Sequence, residues 1–303
     1  MGIKIANFEM KNPIIAASGT FGYADEFEDF CDVSKIGAVA TKGITLEPRS
    51  GNDGERIFET DCGMINRIGL ENIGIERFVE EKIPVLKKKN ITYILNAAGS
   101  TIEDYSKLAS IAHKNGIEAM ELNVSCPNVK SGCLEFGTDE NSLYELVSRV
   151  RKNYGGCLIV KLTPNVTSIE NLAAAVEKAG ADAISAINTL KGLGIKIEYL
   201  NGKFHKKEVQ GGLSGKCIKP VALAMVKRIR TATKLPIIGM GGISCLGDLF
   251  EFISAGADAF EIGTQNFTQC DVCNTLADDL ENFIKTNGFK DFEDLKEKIK
   301  EIN

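Results

Sequence analysis

Eight short apolar segments recur along the chain, and each of them ends in small or polar residues. They cover residues 13–19, 38–45, 93–99, 119–125, 158–164, 183–189, 236–242 and 259–264. Most are continuously apolar rather than alternating, which is typical of strands in a parallel sheet whose two faces are both covered. The pattern therefore predicts eight buried parallel strands.

Helical periodicity occupies the intervals between these segments. Apolar residues fall on one helical face in two clear cases: Ile169, Leu172, Ala173 and Val176, and then Ile218, Val221, Met225, Val226 and Ile229. Gly180 predicts the end of the first of these helices. The pairs Thr167–Glu170 and Ser100–Glu103 have capping-box spacing and predict two helix starts. Strands and helices therefore alternate.

The junctions between helix and strand repeat. The sequence AGADA occurs at 179–183 and again at 255–259, each time between a predicted helix and a predicted strand. Several strand starts lie about 25 residues apart, which is the length of one βα unit. Eight such units predict a (β/α)8 barrel formed by a single domain, residues 1–303. Its long loops over the C-terminal face are expected near 46–72, 126–140 and 190–215.

An open, doubly wound sheet is the alternative architecture. It is disfavoured because no G-x-G-x-x-G sequence follows the first strand.

Net charge, apolar runs and cysteine spacing limit the classes of function and the cellular location that we expect. The 303 residues carry a formal net charge of −5, which gives no broad electrostatic reason to bind nucleic acid or an anionic membrane. No apolar run approaches the roughly 20 residues of a membrane-spanning helix. The N-terminal residues show no signal-peptide pattern, and the nine cysteines are irregularly spaced. We expect a cytoplasmic protein in a reducing compartment.

Polar residues and glycines close the apolar segments. They are Ser18, Lys42, Asn96, Asn123, Lys161, Asn188, Thr189, Gly241, Gly242, Gly263 and Thr264. Amide and ammonium groups are costly to bury without partners. In a barrel, the strand ends meet at one mouth, where barrel enzymes carry out their chemistry. A simple turn role is the alternative for each asparagine, but it does not explain why six strands end this way.

Two glycine-containing turns indicate a phosphate site. The sequence GMGG at 239–242 follows the seventh predicted strand, and IGT at 262–264 follows the eighth. Barrels often bind phosphate here through backbone N–H groups. A third glycine-rich segment, GGLSG at 211–215, precedes a predicted helix. The sequence therefore predicts a phosphorylated ligand or cofactor.

One cysteine has a distinctive setting. Cys126 follows a strand end, precedes Pro127 and is flanked by two asparagines. Its thiol is a candidate base or nucleophile if nearby lysine charge lowers its pKa from about 8.5. Cys270 and Cys273 form a lone C-x-x-C, interpreted as cysteines at a helix start rather than as a metal or redox site.

Taken together, these segments resemble the class 1 dihydroorotate dehydrogenases, flavin enzymes of pyrimidine biosynthesis. The resemblance covers nearly the whole chain and rests on NVSCPNVK (123–130), EFGTD (135–139), VKLTPNVT (160–167), INTLKG (187–192), GGLSG (211–215), IGMGGI (238–243) and EIGT (261–264). The NVK after SCP and the FGTD beyond it are more similar to the class 1B catalytic subunit than to the fumarate-using class 1A. Class 2 members are membrane-associated and have serine in place of Cys126.

The resemblance implies an FMN-containing barrel that oxidises (S)-dihydroorotate to orotate in UMP biosynthesis. Cys126 is then the base that takes the C5 proton while C6 passes a hydride to the flavin. The implied substrate-binding residues are Lys42, Asn66, Arg67, Ile68, Gly69, Leu70, Asn123, Asn128, Asn188 and Thr189. The implied FMN-binding residues are Ser18, Lys42, Gly43, Asn96, Asn123, Lys161, Ile187, Gly215, Gly241, Gly242, Gly263 and Thr264.

Class 1B resemblance further implies an electron-transfer partner subunit that carries FAD and a 2Fe–2S cluster and passes electrons to NAD. The assembly is then a homodimer or a heterotetramer, and this chain itself holds no metal. Three residues depart from the family pattern, namely Arg67, Cys133 and Lys216.

Three other functions stay open at this point. One is direct fumarate reduction without a partner, as in class 1A. The second is a non-redox, phosphate-binding barrel lyase or isomerase that uses Lys42 or Lys161 as a Schiff base. The third is a catalytically silent binding subunit.

Overall fold

The computed structural model describes residues 1–125 and 136–302. In chain order its strands are β1 (Ile3–Ile5), β2 (Phe8–Met10), β3 (Ile14–Ala16), β4 (Ala38–Ala40), β5 (Ile57–Thr60), β6 (Gly63–Asn66), β7 (Tyr93–Ala97), β8 (Ala119–Asn123), β9 (Cys157–Leu162), β10 (Ala183–Ala186), β11 (Leu190–Leu200), β12 (Lys203–Ser214), β13 (Ile237–Met240) and β14 (Ala259–Ile262).

The α-helices follow most of the barrel strands. They are α1 (Ile75–Arg77), α2 (Ile83–Lys88), α3 (Ile102–Lys114), α4 (Glu140–Asn153), α5 (Ile169–Lys178), α6 (Lys219–Ala232), α7 (Leu246–Ala255), α8 (Val272–Thr286) and α9 (Phe292–Lys300). A π-helical turn, Phe78–Lys82, joins α1 to α2. No helix in the described part of the chain has both the length and the apolar character needed to cross a membrane.

Eight parallel strands close into a barrel in the order β3-β4-β7-β8-β9-β10-β13-β14. Each of the eight predicted strands is confirmed. The barrel closes where β14 pairs with β3, with Phe260 opposite Ile14. The open doubly wound alternative is therefore wrong, because the sheet has no edge in this ring. The assignment of residues 1–303 to one domain stays a prediction.

Side chains alternate between the barrel interior and the helix layer. The interior of the amino-terminal half is apolar and packs against the β1–β2 hairpin; it consists of Ile15, Ala38, Ala40, Ile94, Ala119, Cys157, Ile159, Ala183, Ile238 and Ala259, with Ile5, Phe8 and Met10 from the hairpin. Intervening residues such as Leu122, Val160 and Phe260 pack outward in the larger core. The hairpin thereby fills one end of the barrel and leaves the carboxyl end for the site.

Two of the predicted long loops form a sheet instead. The strands β5, β6, β11 and β12 pair in the antiparallel order β11-β12-β6-β5. They come from the excursions at 46–72 and 190–215, and β6 meets β12 with Asn66 opposite Gly212. The far part of the β11–β12 hairpin exposes apolar side chains, including Ile197 and Phe204. His205 is an exposed residue of β12.

The predicted helix caps need two corrections. The cap of α3 is Thr101 with Asp104, one residue after the predicted Ser100–Glu103 pair, and both reciprocal hydrogen bonds are present. The start of α5 has no side-chain cap, and Glu170 instead accepts a hydrogen bond from Arg228. At its other end the prediction is confirmed, since Gly180 has a φ of +92°.

We expect Thr101→Ala to lower the free energy of unfolding by about 1 kcal/mol, because the Asp104 N–H loses its hydroxyl acceptor. Thr101→Ser keeps that oxygen and is the matched control. Urea unfolding of the three proteins measures the difference. Equal losses in both variants would show that the threonine acts through packing and not as a cap.

Candidate active site

A layer of polar side chains lies inside the barrel, directly above its apolar layer. It consists of Asn96, Glu121, Lys161, Ser185 and Glu261, all of them buried. Each follows an inward-facing apolar residue by two positions, and side chains two apart in a strand share a face. The regular alternation of five strands, β7, β8, β9, β10 and β14, therefore produces this layer.

Lys161 is the centre of the polar layer. Its Nζ lies 2.9 Å from Oε2 of Glu261 and 3.3 Å from Oε2 of Glu121. Glu121 has two further partners, since Ser185 Oγ donates to Oε1 at 2.6 Å and Asn96 Nδ2 donates to Oε2. By contrast, Oε1 of Glu261 has no hydrogen-bond partner among the described residues. The two carboxyl groups are therefore solvated by the protein to different extents.

This asymmetry separates the acidities of the two glutamates. Burial, together with the charge of Glu121, raises the pKa of Glu261 well above its usual range. Burial acts in the same direction on Glu121, but the Lys161 charge and the hydrogen bonds to Glu121 hold its pKa below the usual range. Despite its own burial, Lys161 has a raised pKa because both carboxyl groups favour its ammonium form. The surroundings thus favour the charged forms of Lys161 and Glu121 and the neutral form of Glu261.

The two glutamates were not among the predicted site residues. Each is a single acidic residue inside an otherwise apolar strand, in AMELN at 119–123 and AFEI at 259–262. A buried carboxyl group needs a partner. The sequence feature that could have identified Glu121 and Glu261 is therefore a single glutamate within an apolar strand segment.

Lys42 and Lys161, the two lysines considered as Schiff-base residues, both have partners in the structure. Lys161 is held as an ammonium, whereas a Schiff-base lysine reacts as the free amine. Lys42 Nζ lies 3.7 Å from Oε1 of Glu71 and 5.8 Å from the ring centre of Tyr23. These contacts do not support the lyase interpretation.

Amide side chains gather above the polar layer. Asn123 is opposite Lys161 in the β8–β9 register, and its Oδ1 accepts a hydrogen bond from Asn188 Nδ2 at 3.2 Å. Tyr105 donates to the Asn123 carbonyl at 2.7 Å. The Asn188 Oδ1 in turn accepts from the backbone N–H of Thr189 at 2.9 Å. Donor and acceptor groups of β8 and β10 thus meet at the mouth.

Strand β12 places Asn66, which comes from the excursion at 46–72, close to Thr189. Asn66 Nδ2 donates to the Gly212 carbonyl at 3.1 Å. A Cβ atom at Gly212 would lie only 2.1 Å from Thr189 Oγ1. Glycine is therefore required for β12 to pass so close to Thr189. Asn66, Asn123, Asn188 and Thr189, four of the predicted substrate residues, are brought together.

The segment that follows Asn66 folds over the mouth. Gly69 and Leu70 both have positive φ, +80° and +56°. Leu70 packs on Gly43, where a Cβ atom would lie 3.0 Å from Leu70 Cδ2 and 3.2 Å from Asn96 Oδ1. Ile68 is half-buried, and the side chain of Arg67 is exposed. The segment thereby connects to the polar layer through Leu70.

The predicted phosphate glycines form one cradle. Gly215, Gly241 and Gly242 have φ of +104°, +124° and +79°. A Cβ atom at Gly242 would lie 3.0 Å from the Gly215 carbonyl oxygen, so the two loops touch. Gly215 also precedes the short 3₁₀ turn Lys216–Ile218 that leads into α6. Backbone N–H groups at a helix start favour an anion.

The remaining cofactor candidates border this cradle. Thr264 Oγ1 donates to Ser214 Oγ at 2.8 Å, and a Cβ atom at Gly263 would meet nothing closer than Ala17 at 3.8 Å. Ser18 follows Ala17, whose N–H donates to the Ile262 carbonyl. Ile187 is buried, and the Ala186–Ile187 peptide bond is cis. Cys126, Asn128 and Cys133 lie outside the described residues.

Within residues 1–125 and 136–302, no group of three or more His, Cys, Asp or Glu side chains is placed to bind a metal ion. The lone C-x-x-C is at a helix start as expected, since Cys273 is a buried residue in the first turn of α8.

Comparison with known proteins identifies the family. The family model described as dihydroorotate dehydrogenase matches residues 1–284. Curated relatives named "Dihydroorotate dehydrogenase B (NAD(+)), catalytic subunit" include those of Geotalea uraniireducens, 45% identical over 97% of this chain and 96% of the relative, and Parabacteroides distasonis, 46% identical over the same shares. The one from Bacteroides thetaiotaomicron is 44% identical over 97% of both chains. The chain belongs to the dihydroorotate dehydrogenase family.

Proposed function

We propose that this chain oxidises (S)-dihydroorotate to orotate with FMN, as the catalytic subunit of an NAD-linked dihydroorotate dehydrogenase in pyrimidine biosynthesis. The supporting observation is the arrangement at the barrel mouth: the amide side chains of Asn66, Asn123 and Asn188 and the hydroxyl of Thr189 gather next to the buried ammonium of Lys161 and a glycine cradle. Membership of the dihydroorotate dehydrogenase family supports dihydroorotate as the substrate of this site.

The residues present fit FMN. Asn96 Oδ1 is buried and has no hydrogen-bond partner among the described residues, so it is available to a ligand at the mouth. The cradle of Gly215, Gly241 and Gly242 suits a phosphate group, because glycine lets backbone N–H groups approach an anion closely. Ser18, Lys42, Gly43, Asn96, Asn123, Lys161, Ile187, Gly215, Gly241, Gly242, Gly263 and Thr264 would hold FMN. When bound, FMN supplies the hydride acceptor, a task that no amino-acid side chain performs.

Lys161 has an electrostatic role in this scheme. Its ammonium is held by two carboxyl groups, and Lys161 pairs with Asn123 in the β8–β9 register, so the charge would not have to reorganise during the reaction. A fixed charge in a site shielded from water stabilises developing negative charge strongly. We assign to Lys161 the stabilisation of the charge that the flavin ring gains.

The amide cluster suits the substrate. Dihydroorotate has a carboxylate and an imide, and an asparagine side chain both donates and accepts hydrogen bonds. Asn66, Asn123, Asn128, Asn188 and Thr189 would orient it, with Lys42 and residues 67–70 beside them. Asn66 donates a hydrogen bond to Gly212 and Thr189 packs closely against the same glycine, so the two side chains lie close together before the substrate binds.

Proton removal is assigned to Cys126. Strand β8 ends at Asn123, three residues before Cys126. A thiol is largely protonated at neutral pH, so its activity as a base depends on a lowered pKa. The thiolate would take the C5 proton of dihydroorotate while the amides hold the ring.

A partner subunit completes the proposal. The three relatives are named as catalytic subunits of an NAD(+) enzyme, which supports a second subunit in the assembly. We assign FAD and a 2Fe–2S cluster to that subunit. Fumarate as a direct acceptor, as in class 1A, is the second candidate, and the assembly as homodimer or heterotetramer stays a prediction, as does the cytoplasmic location.

The decisive experiment is the anaerobic visible spectrum of the purified chain, before and after addition of dihydroorotate. We expect a flavin band that bleaches. The reduced protein is then mixed with fumarate: a persistent bleached state supports the partner-dependent enzyme, and rapid return of the band supports the class 1A alternative. Absence of flavin even after FMN is supplied would contradict the proposal, and a band that dihydroorotate leaves unchanged would exclude this substrate.

We expect Cys126→Ser to keep its FMN but to lose turnover by about 100-fold or more near neutral pH, because serine is a far weaker base. Turnover and flavin content are measured together. Cys270→Ser is the control for cysteine replacement outside the site and should retain full activity. Unchanged turnover in the Cys126 variant would remove this residue from the role of base.

We expect Gly242→Ala to weaken FMN binding about tenfold or more, whereas riboflavin, which has no phosphate, binds the variant and the wild type alike. The added methyl group would press on the Gly215 carbonyl at 3.0 Å and on Lys219 Cβ at 2.8 Å. Flavin fluorescence titration measures both ligands.

Gly288→Ala is the matched control, because Gly288 also has a positive φ, +73°, but a methyl group added there would meet no atom within 4 Å. Equal losses for FMN and riboflavin in the Gly242 variant would contradict a phosphate role for the cradle.

A further inference from the structure

Two buried carboxyl groups share one ammonium in the polar layer of the barrel. The side chains of Glu121 and Glu261 are 0% exposed and that of Lys161 is 6% exposed. A single lysine cannot neutralise two buried carboxylates. Since an isolated buried charge is very costly, one of the two glutamates must carry a proton.

The hydrogen bonds show which glutamate is charged. Both oxygens of Glu121 accept hydrogen bonds from neutral donors, Ser185 Oγ and Asn96 Nδ2, in addition to the contact with Lys161. Glu261 has Lys161 on one oxygen and no partner for the other among the described residues. Both carboxyl groups contact the same Lys161 Nζ, so two negative charges here would lie close together, which favours a proton on one of them. That proton belongs on Glu261.

Other charges do not enter this part of the interior. The facing strands β7 and β10 contribute the neutral Asn96 and Ser185, and the layer below is apolar. Lys42, which follows the carboxyl end of β4, is paired with Glu71. Within the described residues, the charge of the layer is thus decided by Glu121, Lys161 and Glu261.

We propose that Glu121 and Glu261 are positioning residues that together hold one negative charge and one proton, and that this single charge limits how strongly Lys161 favours reduction of the bound flavin. The inference rests on the function proposed above, because it concerns the potential of FMN at this site. The two glutamates act through Lys161 and do not touch the substrate.

Because Glu121 and Glu261 share one negative charge, replacing one of them should have a different effect from replacing both. In Glu261→Gln, Glu121 keeps the charge. In Glu121→Gln, Glu261 releases its proton and takes over as the partner of Lys161. Either single variant therefore preserves one ammonium and one carboxylate. Only the double variant leaves Lys161 without a counter-charge, and an uncompensated ammonium favours added negative charge on the flavin.

The test is the midpoint potential of the FMN-loaded, full-length chain at pH 6, measured by anaerobic equilibration with redox dyes. We expect each single variant to change the reduction equilibrium by less than about threefold. The double variant should shift it towards reduction by at least tenfold, which is about 30 mV for a two-electron couple. Adding Lys161→Met to the double variant removes the ammonium and should return the potential towards that of the wild type.

Two results would overturn the inference. One is a double variant whose shift equals the sum of two substantial single shifts, because independent residues add. The other is a shift that Lys161→Met does not reverse, because the effect would then come from packing. Circular dichroism and gel filtration establish that each variant is folded.

A second measurement needs no flavin and keeps the inference testable if the double variant does not fold. Infrared spectroscopy of the flavin-free chain detects the carbonyl stretch of a protonated carboxyl group. We expect this band in the wild type at pH 8 and its loss in each single variant, including Glu121→Gln, where Glu261 ionises. Its absence from the wild type would refute the shared proton, whereas failure of the wild type to bind FMN would refute the proposed function and leave the infrared result intact.

Discussion

The ion pair of Lys161 with Glu121 and Glu261 is the interaction on which the rest of the site depends. A closed barrel gives inward-facing side chains no access to bulk water except at its ends, so polar groups inside it must satisfy each other. Removing one partner of a buried pair typically costs about 3–5 kcal/mol. The layer therefore fixes the ammonium in position beneath Asn123, and its neighbours Asn96 and Ser185 are held by the same carboxylate. The chemistry proposed for the mouth begins from this fixed charge.

Strand β14 runs from this charge to the border of the phosphate cradle. Glu261 faces the barrel interior, and two residues later Gly263 opens the turn beside Ala17 and Thr264. A ligand held at the cradle and extended over Lys161 would follow this strand end. The distance from Glu261 to Thr264, at the border of the cradle, is thus set by the backbone of one strand and the turn after it. Such pre-organisation lowers the cost of ordering the ligand.

Local pattern was enough to predict the eight barrel strands and the polar residues that close them, because strand ends are marked by nearby sequence. It was not enough for Glu121 and Glu261, whose partnership with Lys161 joins residues 40 and 100 positions apart. The sheet of β5, β6, β11 and β12 was missed for the same reason, since Asn66 of β6 and Gly212 of β12 pair although they are 146 positions apart. The cap of α3 was misplaced by one residue because Ser100 and Thr101 are both good cap residues, and only the backbone conformation selects Thr101.

Two of the proposed substrate residues, Asn66 and Thr189, are supported by a different part of the fold from the cofactor candidates on the barrel strands. The cofactor candidates Asn96, Lys161 and Gly263 belong to barrel strands or follow them directly, so the closed ring fixes their spacing. Asn66 and Thr189 are instead joined through Gly212 on β12, within the sheet built from the two excursions. Substitutions in the excursion sheet can therefore alter the substrate region while the barrel layer keeps its geometry. Arg67 illustrates this separation: it departs from the family pattern and follows Asn66, yet its side chain is exposed and lies on the excursion side of the mouth. With the proposed site residues, the barrel would hold the cofactor and the sheet of β5, β6, β11 and β12 would help to position the substrate, so that the substrate region could change while the polar layer keeps its geometry.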